Sequence, residues 1–188
     1  APRESGFIVT SNNQATGLLP IIADVQETIT PIEGSWNVYF DPRWGGPGKV
    51  VFDELIDWTV HADTGIRYYS GTAVYHKELN LAMPAQNERL LLRFPRLGSL
   101  ARVWVNGKEV VTVWCSPWEA DITSYVHEGK NNLKIEVVNS LMNRMIGDAS
   151  LPESERFTYA YPQIATPTDK LVPSGIMEQL NLVYRQCQ

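Results

Sequence analysis

Four polar side chains stand close together after an alternating stretch that ends at Asn139. The run Leu141-Met-Asn-Arg-Met-Ile-Gly-Asp148 puts Asn139, Asn143, Arg144 and Asp148 in what reads as an irregular segment that also holds apolar residues. Arg144 and Asp148 could form a bidentate pair that pins the segment. The same group could instead face a ligand rich in hydroxyls. A second set is aromatic: Trp44, Trp58, Tyr68, Tyr69 and Trp118 fall in or beside predicted loops. A ring in a loop can stack on the apolar face of a sugar, or it can cap the end of a hydrophobic core.

Other chemistry is sparse. Glycoside hydrolysis needs two carboxylates across a scissile bond, and the candidates are Asp53, Glu54, Asp57, Asp148, Glu153 and Glu155. Asp53/Glu54 and Glu153/Glu155 are loop neighbours, and the set reads as solvated surface charge. The three histidines, His61, His76 and His127, are far apart and read as partly exposed, satisfied side chains. GxSxG and HExxH are both absent. Gly45-Gly46-Pro47-Gly48 precedes a strand rather than a helix and lacks the Lys-Ser/Thr of a phosphate loop. Cys115 and Cys187 could pair or stay as thiols, and no Cys/His cluster offers a zinc site.

The elements that must hold these residues are strands. Trp36, Val38 and Phe40 alternate with Asn37 and Tyr39; Ala101, Val103 and Val105 alternate with Arg102 and Trp104; Leu133, Ile135 and Val137 alternate with Lys134 and Glu136. Asn106-Gly107 predicts a type I′ hairpin turn, which needs φ > 0 at both positions. Gly71 suggests a bulge in a bent strand over 68–81. Thr123 to Gly129 reads as one helical turn capped by Asp121 or Thr123, and Ser150 to Arg156 as a short helix with Pro152 in its first turn. About eight or nine strands and no long amphipathic helix predict an all-β fold, an antiparallel two-sheet β-sandwich of jelly-roll type. Residues 1–33, with apolar runs at Phe7-Ile8-Val9 and Leu18 to Ile22, read as a lead-in, the tail of a preceding domain. Residues 34–188 read as the sandwich domain.

Composition narrows the function classes. The chain has 188 residues, with 16 Lys+Arg against 21 Asp+Glu and a net charge of −5. That balance disfavours nucleic-acid binding, which needs a basic patch to neutralise phosphates. No apolar run approaches the ~18 residues that span a bilayer. The chain starts at Ala1 without a visible signal peptide, so either a leader has been removed or this is a piece of something longer.

Several of these segments, taken in order, resemble a known family. They are Gly34-Ser-Trp-Asn-Val-Tyr-Phe-Asp-Pro-Arg-Trp-Gly-Gly-Pro47, Gly65-Ile-Arg-Tyr-Tyr-Ser-Gly-Thr-Ala-Val-Tyr75 and Val103-Trp-Val-Asn-Gly-Lys108. Pro117-Trp118, Asp121-Ile-Thr123, Gly129-Lys-Asn-Asn-Leu133, Asn143-Arg-Met-Ile-Gly-Asp148 and Pro173-Ser-Gly-Ile176 follow. Together they resemble the C-terminal β-sandwich of glycoside hydrolase family 106, the α-L-rhamnosidase family. More widely they resemble the galactose-binding-like, or family 2 sugar-binding, jelly roll. The resemblance implies a non-catalytic accessory domain of a larger bacterial enzyme that is periplasmic or extracellular. Its catalytic carboxylates would lie on a separate (β/α)₈ barrel, and that catalytic domain of the same polypeptide would be the partner. The FDPRWGGP loop (Trp44) and the NRMIGD segment (Asn143, Arg144, Asp148) would then be the interface or cleft candidates, with an exposed apolar patch where the barrel docks. The runner-up is a stand-alone carbohydrate-binding module. Structural calcium is common in galactose-binding-like sandwiches, although no ligand set stands out here.

Overall fold

The computed structural model describes residues 26–160 and 164–186. The apolar runs at Phe7 and Leu18, and Cys187, lie outside these residues. Among the described residues there are ten strands in two antiparallel sheets. The four-stranded sheet has the order β1 (Glu27–Pro31), β10 (Asn181–Gln186), β5 (Glu88–Arg93), β8 (Glu119–Asp121). The six-stranded sheet has the order β3 (Gly48–Phe52), β2 (Trp36–Phe40), β4 (Thr72–Leu81), β9 (Gly129–Val138), β6 (Leu100–Val105), β7 (Lys108–Val113). The expected all-β sandwich is therefore the observed architecture.

Alternation decides which side chains enter the core. In β2, Trp36, Val38 and Phe40 are buried while Asn37 and Tyr39 face out. Tyr75 in β4, Ile135 in β9 and Val103 in β6 continue the same inner face. Leu90, Leu92 and Leu182 meet them from the other sheet. Such interdigitation of two inner faces is what holds sandwiches together. The β6–β7 hairpin turns at Asn106 (φ 52°) and Gly107 (φ 78°), as the dipeptide predicts. Asn106 then ties the turn inward, donating from Nδ2 to the Asn131 Oδ1 at 2.8 Å and to the Tyr125 carbonyl at 2.9 Å.

Three local expectations change, at 141–148, Gly71 and 150–156. The stretch 141–148 is not irregular: Met142–Asp148 form helix α2. Gly71 is not a bulge inside a strand. It precedes β4, and its carbonyl accepts from the Asn139 N–H at 3.0 Å. Residues 55–67 hold a 3-10 turn at Trp58–Val60 and the short helix α1 (Thr64–Arg67), with Trp58 and Ile66 in the core. The turn at Thr123–Tyr125 forms with Asp121 accepting from the Thr123 N–H, and the 150–156 helix contracts to a 3-10 turn at Glu153–Glu155 behind Pro152. No helix among the described residues is long and apolar enough to cross a membrane.

Candidate functional site

The 41–48 loop, the 57–71 segment, α2 and the 172–175 segment come together at one end of the sandwich, and buried polar side chains join them. Ser174 is the node. Its Oγ accepts from Asn139 Nδ2 and Asn143 Nδ2, each at 2.8 Å, and donates to the Val172 carbonyl at 2.7 Å. Asn143 completes a reciprocal pair with Val172, donating to its carbonyl at 2.7 Å and accepting its N–H at 2.8 Å. The Ser174 N–H donates to Asp57 Oδ1, which also caps the Trp58 turn through the Thr59 N–H. A buried amide or hydroxyl is tolerable when its partners are supplied in this way.

Arg144 and Asp148 are equally enclosed, at 5% and 2% relative exposure. Arg144 Nε and Asp148 Oδ1 stand 3.0 Å apart as an ion pair without the angle of a hydrogen bond. Asp148 Oδ2 accepts three hydrogen bonds, from the N–H groups of Phe157 and Thr158 and from the Thr158 hydroxyl, at 2.7–3.0 Å. The Arg144 guanidinium lies 5.0 Å over the Phe157 ring and 5.9 Å over that of Tyr68. Helix α2 packs so closely on Tyr68 that a Cβ at Gly147 would stand 2.7 Å from that ring. Of the two readings open in the sequence for this cluster, the geometry favours pinning.

The aromatic candidates divide. Trp58, at 0% exposure, donates from Nε1 to the Tyr75 hydroxyl at 2.7 Å and meets Phe40 edge-on with ring centroids 5.2 Å apart. Tyr69 is also fully buried; its hydroxyl accepts the Asp41 N–H at 3.0 Å and donates to the Thr72 carbonyl at 3.1 Å. Burial pushes the phenols of Tyr69 and Tyr75 above their ordinary pKa. The expectation that Trp58 and Tyr69 could stack on a ligand is corrected: rings closed on both faces by core atoms cap the sandwich and offer no surface. Tyr68 is half-buried under α2, and Trp118 is half-buried against the core. Trp44 alone among the five is well exposed, at 45%.

Around this frame lies an apolar surface that spacing did not signal. Leu141, Phe157, Tyr159, Ile164 and Val172 are all exposed, Tyr159 at 84%. A Cβ on Gly45, next to Trp44, would stand 3.0 Å from the Phe157 ring, so the Trp44 turn and the Phe157 segment are neighbours. Ile164 borders a small depression with Met145 and Asp148.

Of the carboxylates considered for hydrolysis, Asp57 and Asp148 are consumed by these structural bonds. Asp53 and Glu54 border a separate depression of about 410 Å³ beside Trp36, and Glu153 and Glu155 are exposed on their turn. Calcium takes six to eight oxygen ligands, carboxylates prominent among them. No cluster of three or more Asp, Glu, His or Cys that could hold a metal occurs among the described residues.

Comparison with known proteins agrees with this fold. A protein of Formosa agariphila named as a beta-glucuronidase is 39% identical over 123 residues, which cover 64% of this chain and 11% of that protein. The structure of a rhamnosidase from Novosphingobium sp. PP1Y superposes with a TM-score of 0.82 at 30% identity, over 88% of this chain and 16% of that one. A beta-glucuronidase from Ruminococcus gnavus, at 22% identity and a TM-score of 0.60, shares the fold over 89% of this chain and 29% of its own. The chain thus spans a small part of the length of the relatives it matches. The family model described as glycosyl hydrolases family 2, sugar binding domain, matches residues 20–185, and the chain belongs to that family.

Proposed function

We propose that this chain is the non-catalytic accessory sandwich of a larger glycoside hydrolase of the α-L-rhamnosidase-like kind, and that it docks on the catalytic domain of the same polypeptide through the α2 end. On this reading the 41–48 loop and the segment after α2 help to shape one wall of the substrate cleft. The observation that carries it is the pairing of a rigid interior with an apolar exterior. Asn143, Arg144, Asp148 and Ser174 are tied to protein groups, while Trp44, Phe157 and Tyr159 are held out to solvent. Exposed apolar rings on a preorganised frame are the usual makings of an interface centre. The 30% identity and 0.82 TM-score with the rhamnosidase support that kind of parent, and the 39% identity with the Formosa protein named as a beta-glucuronidase makes a glucuronidase-like parent the second reading.

The test is association in trans. The catalytic part of the parent and this chain are expressed as separate polypeptides and titrated calorimetrically. Binding is expected, and Trp44→Ala with Phe157→Ala should weaken it at least about tenfold, as for two central interface rings. Association that ignores both substitutions would move the interface elsewhere. Hydrolysis of an aryl rhamnoside by the isolated chain would refute the non-catalytic assignment.

A further inference from the structure

The outer face of the six-stranded sheet carries a second polar surface, separate from the α2 end. Strand register lines up Val51, Asn37, His76, Lys134 and Trp104 as direct cross-strand neighbours on β3, β2, β4, β9 and β6. With strands about 4.8 Å apart, the row crosses ~19 Å of sheet. Lys49, Tyr39, Val74 and Glu136 form the next row on the same face. Two adjoining depressions of about 520 and 530 Å³ follow these rows and share Asn37 and His76.

The side chains in these depressions are of a particular kind. An amide, an imidazole, an ammonium and an indole stand side by side, each able to donate a hydrogen bond. Tyr39 adds an exposed ring. Lys134 is held in place, its Nζ 3.7 Å over the Trp104 ring and 3.0 Å from Glu136. Lys49 adds a second cation. The one carboxylate lining either depression is Glu78, which sits 3.0 Å from Lys130. Glu136 offsets Lys134 and Lys130 offsets Glu78, so Lys49 is the cation of the two rows that no salt bridge among the described residues occupies, in a chain of net charge −5.

We infer that this groove binds an anionic oligosaccharide, one carrying uronate carboxylates. The lysines would face the carboxylates, Asn37 and His76 the ring hydroxyls, and Tyr39 an apolar sugar face. The inference rests on the reading of the chain as part of a glycan-degrading enzyme. A neighbouring domain seated on the same face is the competing occupant. Val50, Val51 and Val74 line the second depression, but the part that the two depressions share is Asn37 and His76, more polar than the centre expected of a docking face for a domain.

The experiment uses oligogalacturonate as the anionic probe and the same oligomer fully methyl-esterified as its neutral counterpart. Each is titrated calorimetrically into the 188-residue chain, with amide shifts followed by NMR. Saturable binding of the anionic form is expected, with shifts in β2, β4 and β9. Esterification should weaken it about tenfold, which corresponds to ~1.4 kcal/mol. Asn37→Ala with His76→Ala, both at exposed positions, should also weaken it about tenfold, with circular dichroism unchanged. Trp44→Ala should leave it unchanged. Equal affinity for both oligomers would overturn the anionic class. No binding, or binding indifferent to the Asn37 and His76 substitutions, would overturn the site and favour the neighbouring domain. Failure of the accessory-domain reading would appear instead in the association assay with Trp44 and Phe157, in which the groove residues take no part.

Discussion

The α2 end and the outer face of the six-stranded sheet are built from similar residue types and use them in opposite ways. Each contains an asparagine, a cation, a carboxylate and aromatic rings. At the α2 end the polar atoms turn inward: Asn143 closes on Val172 and Ser174, and Asp148 on Phe157 and Thr158. On the sheet face Asn37, His76 and Lys49 turn out to water. The difference is energetic before it is functional. A buried polar group that loses its partner pays the whole desolvation cost, whereas an exposed one simply rehydrates. The first region can therefore be a frame and little else, and the second is free to exchange water for a ligand.

The largest effects should appear where that frame is broken. Asp148→Ala strands the buried Arg144 guanidinium and leaves two part-buried backbone N–H groups without their acceptor. A loss of about 3–5 kcal/mol is expected, typical of removing one partner from a buried pair. Urea denaturation would measure it, with Asn37→Ala as the contrast, expected within ~0.5 kcal/mol of the parent chain. A loss below ~1 kcal/mol for Asp148→Ala would mean that the α2 end relaxes and that the contrast between the regions is one of exposure only. Trp58→Ala belongs to the same class. It removes a fully buried ring and one of the hydrogen bonds to the Tyr75 hydroxyl, with about 3–5 kcal/mol lost.

Gly175→Ala should cost less than these but well above noise. Gly175 sits at φ +84°, and a Cβ there would lie 2.3 Å from Trp58 Nε1. Left-handed strain and displacement of Trp58 together predict a loss of about 1–3 kcal/mol in the same denaturation assay. An unchanged midpoint would show that the 172–175 segment is not clamped on the core, contrary to the Ser174 bonding pattern.

These positions also show what was legible in the sequence. Strand alternation placed Trp36, Val38, Phe40, Val103 and Ile135 inside, because a period of two follows directly from strand geometry. Asn106-Gly107 fixed its hairpin for an equally local reason. Helix α2 was not legible. It is seven residues long, its N-terminus has no side-chain cap, and its polar residues point inward toward partners that are distant in sequence. Asn143 meets Ser174 across 31 positions, and the Arg144 N–H meets Ser70 Oγ across 74. Trp58 and Tyr69 looked like loop aromatics because their burial is created by tertiary packing. The groove was hidden for the opposite reason: alternation sets Asn37, Lys134 and Trp104 opposite the buried face and His76 reads as partly exposed, but only the register between strands puts them in one row.

A smaller effect is expected on the four-stranded sheet. Glu27, Arg93, Glu119 and Arg185 form a closed ring of ion pairs, with Arg185 bonded to Glu27 at 2.7 Å and Arg93 to Glu119 at 2.6 Å. Partial burial pushes the Glu27 pKa up, but hydrogen bonds and charge from Arg93 and Arg185 outweigh it and hold the carboxyl below its ordinary 4.5. A depressed folded-state pKa means that the native state binds the proton less readily than the unfolded chain. The stabilisation is therefore complete above the ordinary value and is lost as pH falls below it through the folded-state pKa. Glu27→Gln should lower stability by about 1 kcal/mol or less at neutral pH, and the gap to the parent chain should close in acid. A gap that persists below that range would assign the effect to packing rather than charge.

The smallest stability change is predicted for Trp44→Ala, and it bears most directly on function. Trp44 is nearly half exposed on a 3-10 turn whose own geometry is secured by other groups. Asp41 caps that turn by accepting the Arg43 N–H at 2.9 Å, and Gly45 closes it with an N–H to the Pro42 carbonyl at 3.0 Å. The indole is therefore spare with respect to folding, and its loss should stay within ~0.5 kcal/mol. Combined with Phe157→Ala it should nonetheless weaken association with the catalytic domain. A loss of about 3–5 kcal/mol from Trp44→Ala would instead make the ring a core cap like Trp58, and the apolar surface at the α2 end would then be a by-product of packing rather than an interface.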